Sequence, residues 1–127
     1  MASPTDRRYS ETHEWFRPEQ DGTVTVGITQ HAADALTDIT FVEMRGAGSK
    51  VAAGGALGEV ESVKTNSEIY SPVACEVAAV NAAAAKDPSI LNSDPFGAGW
   101  LCKVKGVDAA SLNALMDAAT YDRKNAH

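Results

Sequence analysis

The chain has 127 residues, of which 44% are hydrophobic and 22% charged, with a formal charge of −6 and a pI near 4.9. That length suits one domain, and the composition is that of a globular chain rather than a disordered one. The acidic balance speaks against nucleic acid, whose phosphates are gripped by Lys and Arg, and no apolar run approaches the roughly 18 residues of a membrane span. Residues 1–8 are too short and too polar for a secretory leader, so cytoplasmic residence is expected. Cys75 and Cys102 are too few for a disulfide scaffold and match no zinc or redox spacing, so both are expected to be reduced thiols.

In chain order, residues 13–17 and the strictly alternating residues 23–28 flank Asp21-Gly22, the signal of a β-hairpin. Thr29 is placed to cap a short helix over Gln30–Leu36, and Ile39–Met44 reads as a further strand. Gly46, Gly48, Gly54, Gly55 and Gly58 then punctuate the chain, which implies tight turns and bulges. Residues 56–63 and 66–70 are short strands around a turn that carries Lys64. Ser71-Pro72 interrupts, residues 73–80 resume the extended pattern, and 82–96 is a short helical or irregular excursion. Residues 100–105 alternate once more.

At the end, Leu112, Leu115, Met116 and Ala119 recur at the spacing of one face of an amphipathic helix. Asp108 would cap it, and Val107 and Leu112 would staple its start. Short strands with frequent turns, one early helix and one C-terminal helix predict a mainly β fold, an antiparallel sandwich or flattened barrel with helical additions.

Few residues suggest chemistry. His13, His31 and His127 are scattered, which argues against a metal site, and no nucleophile–base order or phosphate loop occurs, so no catalytic residue is assigned. A lysine at a hairpin tip reads first as a solvated charge. With an ordinary pKa of about 10.4 it is protonated at neutral pH and becomes functional only if another enzyme acylates it.

Thr12-His13-Glu14-Trp15, Val26-Gly27-Ile28-Thr29 leading to His31-Ala32, Ile39 to Glu43 and Gly58-Glu59-Val60-Glu61-Ser62-Val63-Lys64 carry a resemblance. So do Ile69-Tyr70-Ser71-Pro72-Val73, Asn92-Ser93-Asp94-Pro95-Phe96 and Gly99-Trp100-Leu101, all in the same order. Over about residues 9–121 the chain resembles the H proteins of the glycine cleavage system. The resemblance implies a flattened antiparallel β-barrel/sandwich hybrid of the lipoyl/biotinyl-domain type, one carrier domain over 1–127. It also implies lipoate in covalent amide linkage at Lys64, with the chemistry belonging to the cofactor.

Such a carrier would act as a monomer without turnover of its own. Its arm would take the aminomethyl group of glycine from a pyridoxal-phosphate glycine decarboxylase and give it up to a tetrahydrofolate-dependent aminomethyltransferase. Dihydrolipoyl dehydrogenase would reoxidise the arm, and a lipoate-attaching enzyme would install it. By the same resemblance, Glu14 is the first candidate to meet the arm's protonated amine, and His31 a second member of a cleft wall. From the residues alone, Glu14 reads as well as a surface charge on an edge strand, and His31 as a helix-start histidine with a local hydrogen bond. Glu61 and Glu68 flank the lysine, either as recognition points for the attaching enzyme and for basic partner surfaces or as a solvated acidic rim.

The family usually shows Asp where Glu68 stands, and glycine where Cys75 stands. Glycine there would favour a turn of positive φ, so Cys75 is expected either to tolerate some strain or to mark a slightly different turn. A strand of about six residues, roughly 20 Å long, separates that turn from Lys64 and argues against exchange between the thiol and a dithiolane. Lipoyl domains of 2-oxoacid dehydrogenases usually show Asp-Lys-Ala at the turn, and biotinyl domains Met-Lys-Met; neither matches. An H-like protein that relays lipoate to other proteins would show the same turn and is the alternative reading. A third reading is an unmodified interaction module.

Overall fold

The computed structural model describes residues 3–125. Met1, Ala2, Ala126 and His127 lie outside them, so the third histidine of the sequence has no structural account. Nine strands and five short helices follow one another. They are β1 (Arg8–Tyr9), β2 (Glu14–Pro18), β3 (Val24–Ile28), α1 (Gln30–Leu36), β4 (Ile39–Met44), β5 (Lys50–Val51) and β6 (Gly55–Ser62). Then come β7 (Asn66–Ser71), β8 (Cys75–Val80), α2 (Ala82–Lys86), α3 (Ile90–Ser93), β9 (Cys102–Lys105), α4 (Ala109–Asn113) and α5 (Ala118–Lys124). Among the described residues the strands form two antiparallel sheets, ordered β1-β2-β3-β9-β8-β5 and β4-β6-β7, with no closed barrel. Both contribute to one apolar core: Phe16, Val26 and Val104 from the larger sheet meet Val42, Leu57 and Ile69 from the smaller.

The expected hairpin forms for local reasons. Asp21 Oδ1 accepts from the Thr23 amide at 3.0 Å and from its hydroxyl at 2.6 Å, while Gly22 supplies φ +89°. In the register that follows, Trp15 faces Gly27, and the indole lies where a side chain at 27 would stand. Trp15 is fully buried, donates from Nε1 to the Pro95 carbonyl at 3.0 Å and lies under the Arg7 guanidinium at 4.5 Å. A second apolar cluster of Tyr9, Trp15, Ala118 and Tyr121 forms around it.

Thr29 caps α1 as expected, its hydroxyl accepting from the Ala32 amide at 3.2 Å. The helix ends at Thr37, which takes φ +61°. Asn92 spans this corner, donating to the Thr37 carbonyl at 2.5 Å and accepting from the Ile39 amide at 3.0 Å. Asn92 and Pro95 thus serve architecture within the matched segment 92–96.

Three expectations change in detail. The periodic C-terminal stretch is two helices, not one. The chain leaves α4 after Asn113, and Met116 pairs with Tyr9 in an isolated antiparallel bridge, through Tyr9 N to Met116 O at 2.8 Å and Met116 N to Tyr9 O at 3.0 Å. Asp117 then caps α5 by accepting from the Thr120 amide at 2.8 Å. Asp108 stands at the start of α4 but makes no side-chain cap bond; its Oδ2 accepts from the Ser111 hydroxyl at 3.2 Å.

Cys75 lies in no left-handed turn. It opens β8 opposite Val51, and the non-glycine residues of positive φ among those described are His13 and Thr37. No backbone strain therefore attaches to having cysteine there. Both thiols are free and buried; burial raises the Cys75 thiol and pushes Cys102 up to about 12, which keeps both protonated. Last, β9 starts at Cys102, two residues later than the alternation suggests. Leu101 is buried ahead of it, its amide donating to the Val26 carbonyl at 2.8 Å.

Candidate functional site

The hairpin β6–β7 presents Lys64. Glu61 pairs with Asn66, leaving Val63, Lys64 and Thr65 between the strands. Ser62 fixes this loop from within: its hydroxyl accepts from the Lys64 amide at 3.2 Å and the Thr65 amide at 3.1 Å, and donates to the Thr65 carbonyl at 3.0 Å. The Ser62 amide also donates to the Thr65 carbonyl at 2.8 Å, and the Val63 amide donates to the Asp38 carbonyl at 3.0 Å. The turn is thus anchored to the corner between α1 and β4. Lys64 is exposed at the apex, beside Val63 at 68% exposure.

Glu61 is half-buried and Glu68 exposed, both near the turn. Register places Glu43 opposite Glu59 and Glu59 opposite Glu68, a row of three carboxylates across the smaller sheet. Like charges directly opposite one another oppose folding. The ion pairs among the described residues (Arg7–Asp6, Arg17–Glu19, Lys105–Glu76 and Lys124–Glu11) do not engage them.

Glu14 is neither exposed nor on an edge. It opens β2, between β1 and β3, at 1% exposure. Oε1 accepts from the Ser10 hydroxyl at 2.5 Å and from the Thr12 hydroxyl, and Oε2 accepts from the Tyr70 amide at 3.1 Å. Burial raises the carboxyl above its usual range, and these hydrogen bonds pull in the other direction. Ser10, Thr12 and Tyr70 also line a cleft of about 480 Å³, together with Leu115 and Met116. The volume lies in the range of about 300–1,000 Å³ that holds small ligands. The carboxylate therefore sits one layer behind a wall of its own hydrogen-bond donors.

His31 occupies the first turn of α1, half-buried, and is not part of this cleft wall. Its ring stacks on His13 at 4.3 Å. His13 holds φ +72°, and its Nδ1 lies 2.8 Å from the Tyr121 hydroxyl, which is 2.7 Å from Thr29 Oγ1. Burial first, and the neighbouring His31 second, hold the His13 imidazole below its ordinary value.

The five residues singled out from sequence thus divide into three places. Lys64, Glu61 and Glu68 share the hairpin, Glu14 backs the cleft, and His31 belongs to the histidine–tyrosine cluster. Ser10, Thr12 and Tyr70 were not singled out; Thr12 and Tyr70 stood in the matched segments, but nothing in their spacing ties them to Glu14. No group of three His, Cys, Asp or Glu able to hold a metal ion occurs among the described residues, and no helix there is long and apolar enough to cross a membrane.

Fold and site together define a small two-sheet β protein that displays one lysine on a fixed turn, apart from a cleft backed by a buried carboxylate. A family model described as glycine cleavage H-protein matches residues 7–127. Among curated proteins, the glycine cleavage system H protein of Chromobacterium violaceum is 50% identical over 121 residues, covering 95% of this chain and 94% of that one. The glycine cleavage system H protein of Burkholderia ambifaria is 51% identical over 120 residues, 94% of each chain. A crystal structure of a glycine cleavage system H protein from Mycobacterium marinum superposes with a TM-score of 0.86 at 40% identity, covering 97% of this chain and 98% of that one. The chain belongs to the glycine cleavage H-protein family.

Proposed function

We propose that the protein is the lipoyl carrier of a glycine cleavage system, one domain over 1–127 with its core at about 9–121, with Lys64 as the attachment residue. The observation that supports this most strongly is the turn itself: an exposed amine held out by Ser62 at the apex of a hairpin, in a chain of this family. The residues fit the group. The amine is open to an attaching enzyme, and the cleft combines apolar side chains with the hydroxyls of Ser10 and Thr12. Lipoate in amide linkage would supply a dithiolane that opens to take the aminomethyl group of glycine, yields it to the aminomethyltransferase as a dithiol, and is then reoxidised to the disulfide by dihydrolipoyl dehydrogenase.

The chain's own residues place and shelter. Ser62 fixes the direction in which Lys64 leaves the turn. Val63, Glu61 and Glu68 give the attaching enzyme and basic partner surfaces something to recognise. Thr12, Tyr70 and the buried Glu14 form a polar wall suited to a protonated amine, which would be drawn to a carboxylate in so dry a place. His31 acts from the side, packing against the His13 ring next to Glu14. The chain performs no catalysis alone. Its partners are the pyridoxal-phosphate glycine decarboxylase, the aminomethyltransferase, dihydrolipoyl dehydrogenase and the lipoate-attaching enzyme. It works as a cytoplasmic monomer, with no role for nucleic acid, membrane or a metal.

Two measurements decide this reading. Intact mass after co-expression with a lipoate-attaching enzyme should show one lipoyl addition, absent from Lys64→Arg. In a reconstituted glycine–bicarbonate exchange assay the wild-type protein should be active and Lys64→Arg inert; exchange by that variant would refute the assignment. Lipoylation without any exchange activity would favour the relay role instead.

A further inference from the structure

The turn that carries Lys64 is tied to a corner of the fold where the backbone is strained. Between α1 and β4, Thr37 takes φ +61° and ψ −138°, a region open to glycine and unfavourable for a β-branched residue. Such a conformation persists only where its surroundings impose it, and strain of this kind gathers at functional sites. Packing of the corner's own side chains does not account for it, because Thr37 and Asp38 are both exposed.

What imposes it is Asn92, reaching over from α3. Its amide nitrogen donates to the Thr37 carbonyl at 2.5 Å and its oxygen accepts from the Ile39 amide at 3.0 Å, so one side chain grips the backbone on both sides of Asp38. Asn92 is itself well held: Leu91 beside it is fully buried, and the Pro95 carbonyl three residues on accepts from the Trp15 indole at 3.0 Å. Asp38, between the two grips, accepts from the Val63 amide at 3.0 Å, next to Lys64. The pairing of β4 with β6 then carries a bulge: Ile39 faces Ser62 and Phe41 faces Glu61, leaving Thr40 over, with its hydroxyl donating to the Glu61 carbonyl at 3.3 Å. A bulge re-aims the strand that carries it. Strain, clamp and bulge thus converge on one short hairpin turn.

We propose that Asn92 and Thr37 are positioning residues for Lys64. Asn92 holds the strained corner, and the corner, through the Asp38 carbonyl, holds the apex of the β6–β7 turn in the orientation from which an attaching enzyme takes the lysine. Without the clamp the corner relaxes, the Asp38 carbonyl swings away and the Val63 amide loses its acceptor. This rests on the reading that Lys64 receives the lipoyl group.

The test uses the full-length unlipoylated chain as substrate for a lipoate-attaching enzyme supplied with lipoate and ATP, with amide exchange followed by NMR. Asn92→Ala removes both bonds, whereas Asn92→Asp keeps an acceptor for the Ile39 amide and sets a carboxylate oxygen against the Thr37 carbonyl. In both variants Val63 exchange should quicken relative to that of Val77, a fully buried residue whose amide donates to the Ser49 carbonyl at 2.8 Å. The ratio removes any general loss of stability. The KM for attachment should rise about tenfold with kcat within about twofold, as when only a tenth of the free molecules hold the competent turn. The deciding arm combines Asn92→Ala with Thr37→Gly. Glycine adopts the corner unaided, so this double variant should return both KM and Val63 exchange toward wild type. An Asn92 that served packing alone would leave it as impaired as Asn92→Ala. Wild-type KM in both Asn92 variants, with or without faster Val63 exchange, would overturn the proposal and leave the carrier reading standing; so would a double variant without recovery. A wild-type chain that accepts no lipoate would overturn the two together.

Discussion

Glu14 and His13 are neighbours in the chain and titrate in opposite senses. Burial raises the Glu14 carboxyl above its ordinary 4.5, so the folded chain holds this proton more tightly than the unfolded chain. The stability linked to it is complete below the ordinary value and is lost as pH rises through the raised folded value. His13 is held below its ordinary 6.5, so its contribution is present above that value and is lost as pH falls through the lowered one. We predict that Glu14→Gln removes the loss on the alkaline side of the Tm–pH profile. An amide can still accept from the Tyr70 N–H and donate to the two hydroxyls. His13→Asn should flatten the acid limb, because asparagine tolerates the left-handed backbone that His13 adopts. Thermal melts across pH 4–8, on the order of one point per half unit, check both; an unaltered profile in either variant would refute that residue's part.

At the scale of elements, the β2–β3 hairpin and its environment are tightly determined. A Cβ on Gly27 would stand 2.4 Å from the Trp15 ring. The indole is fixed by its bond to Pro95 and by Arg7, so it has little room to yield. Gly27→Ala should cost about 1–3 kcal/mol, seen as a Tm lower by several degrees, with Lys64 lipoylation retained. Elements such as this hairpin, α1 and the β6–β7 turn were legible because each depends on neighbours in sequence: an Asx turn at Asp21, a hydroxyl cap at Thr29, and alternation on either side of Ser62. The C-terminal region was not. Its apolar period holds only as far as Met116: Leu112 is buried and Leu115 and Met116 half-buried, but a strand remote in sequence claims Met116, and past it Ala118 is buried while Ala119 is exposed. Cys75 misled similarly, because a residue-type preference was transferred to a backbone that here runs extended.

In the whole molecule, the attachment turn and the carboxylate belong to different sheets. The turn could be read from composition of the hairpin and from family resemblance. The cleft could not, because Thr12, Tyr70 and Leu115 are brought together only when the sheets dock and the C-terminal segment folds over. The Tyr70 amide donates to Glu14 across that seam, from the smaller sheet to the larger. If the carboxylate turns toward a cargo amine, this amide must share or lose its acceptor. Its hydrogen-exchange rate is then a gauge of occupancy readable in solution. Exchange at Tyr70 should quicken in the loaded protein relative to the lipoylated but empty one, while Ile69 and Ser71 beside it keep their rates. One backbone proton would so report whether the carrier is travelling full or empty.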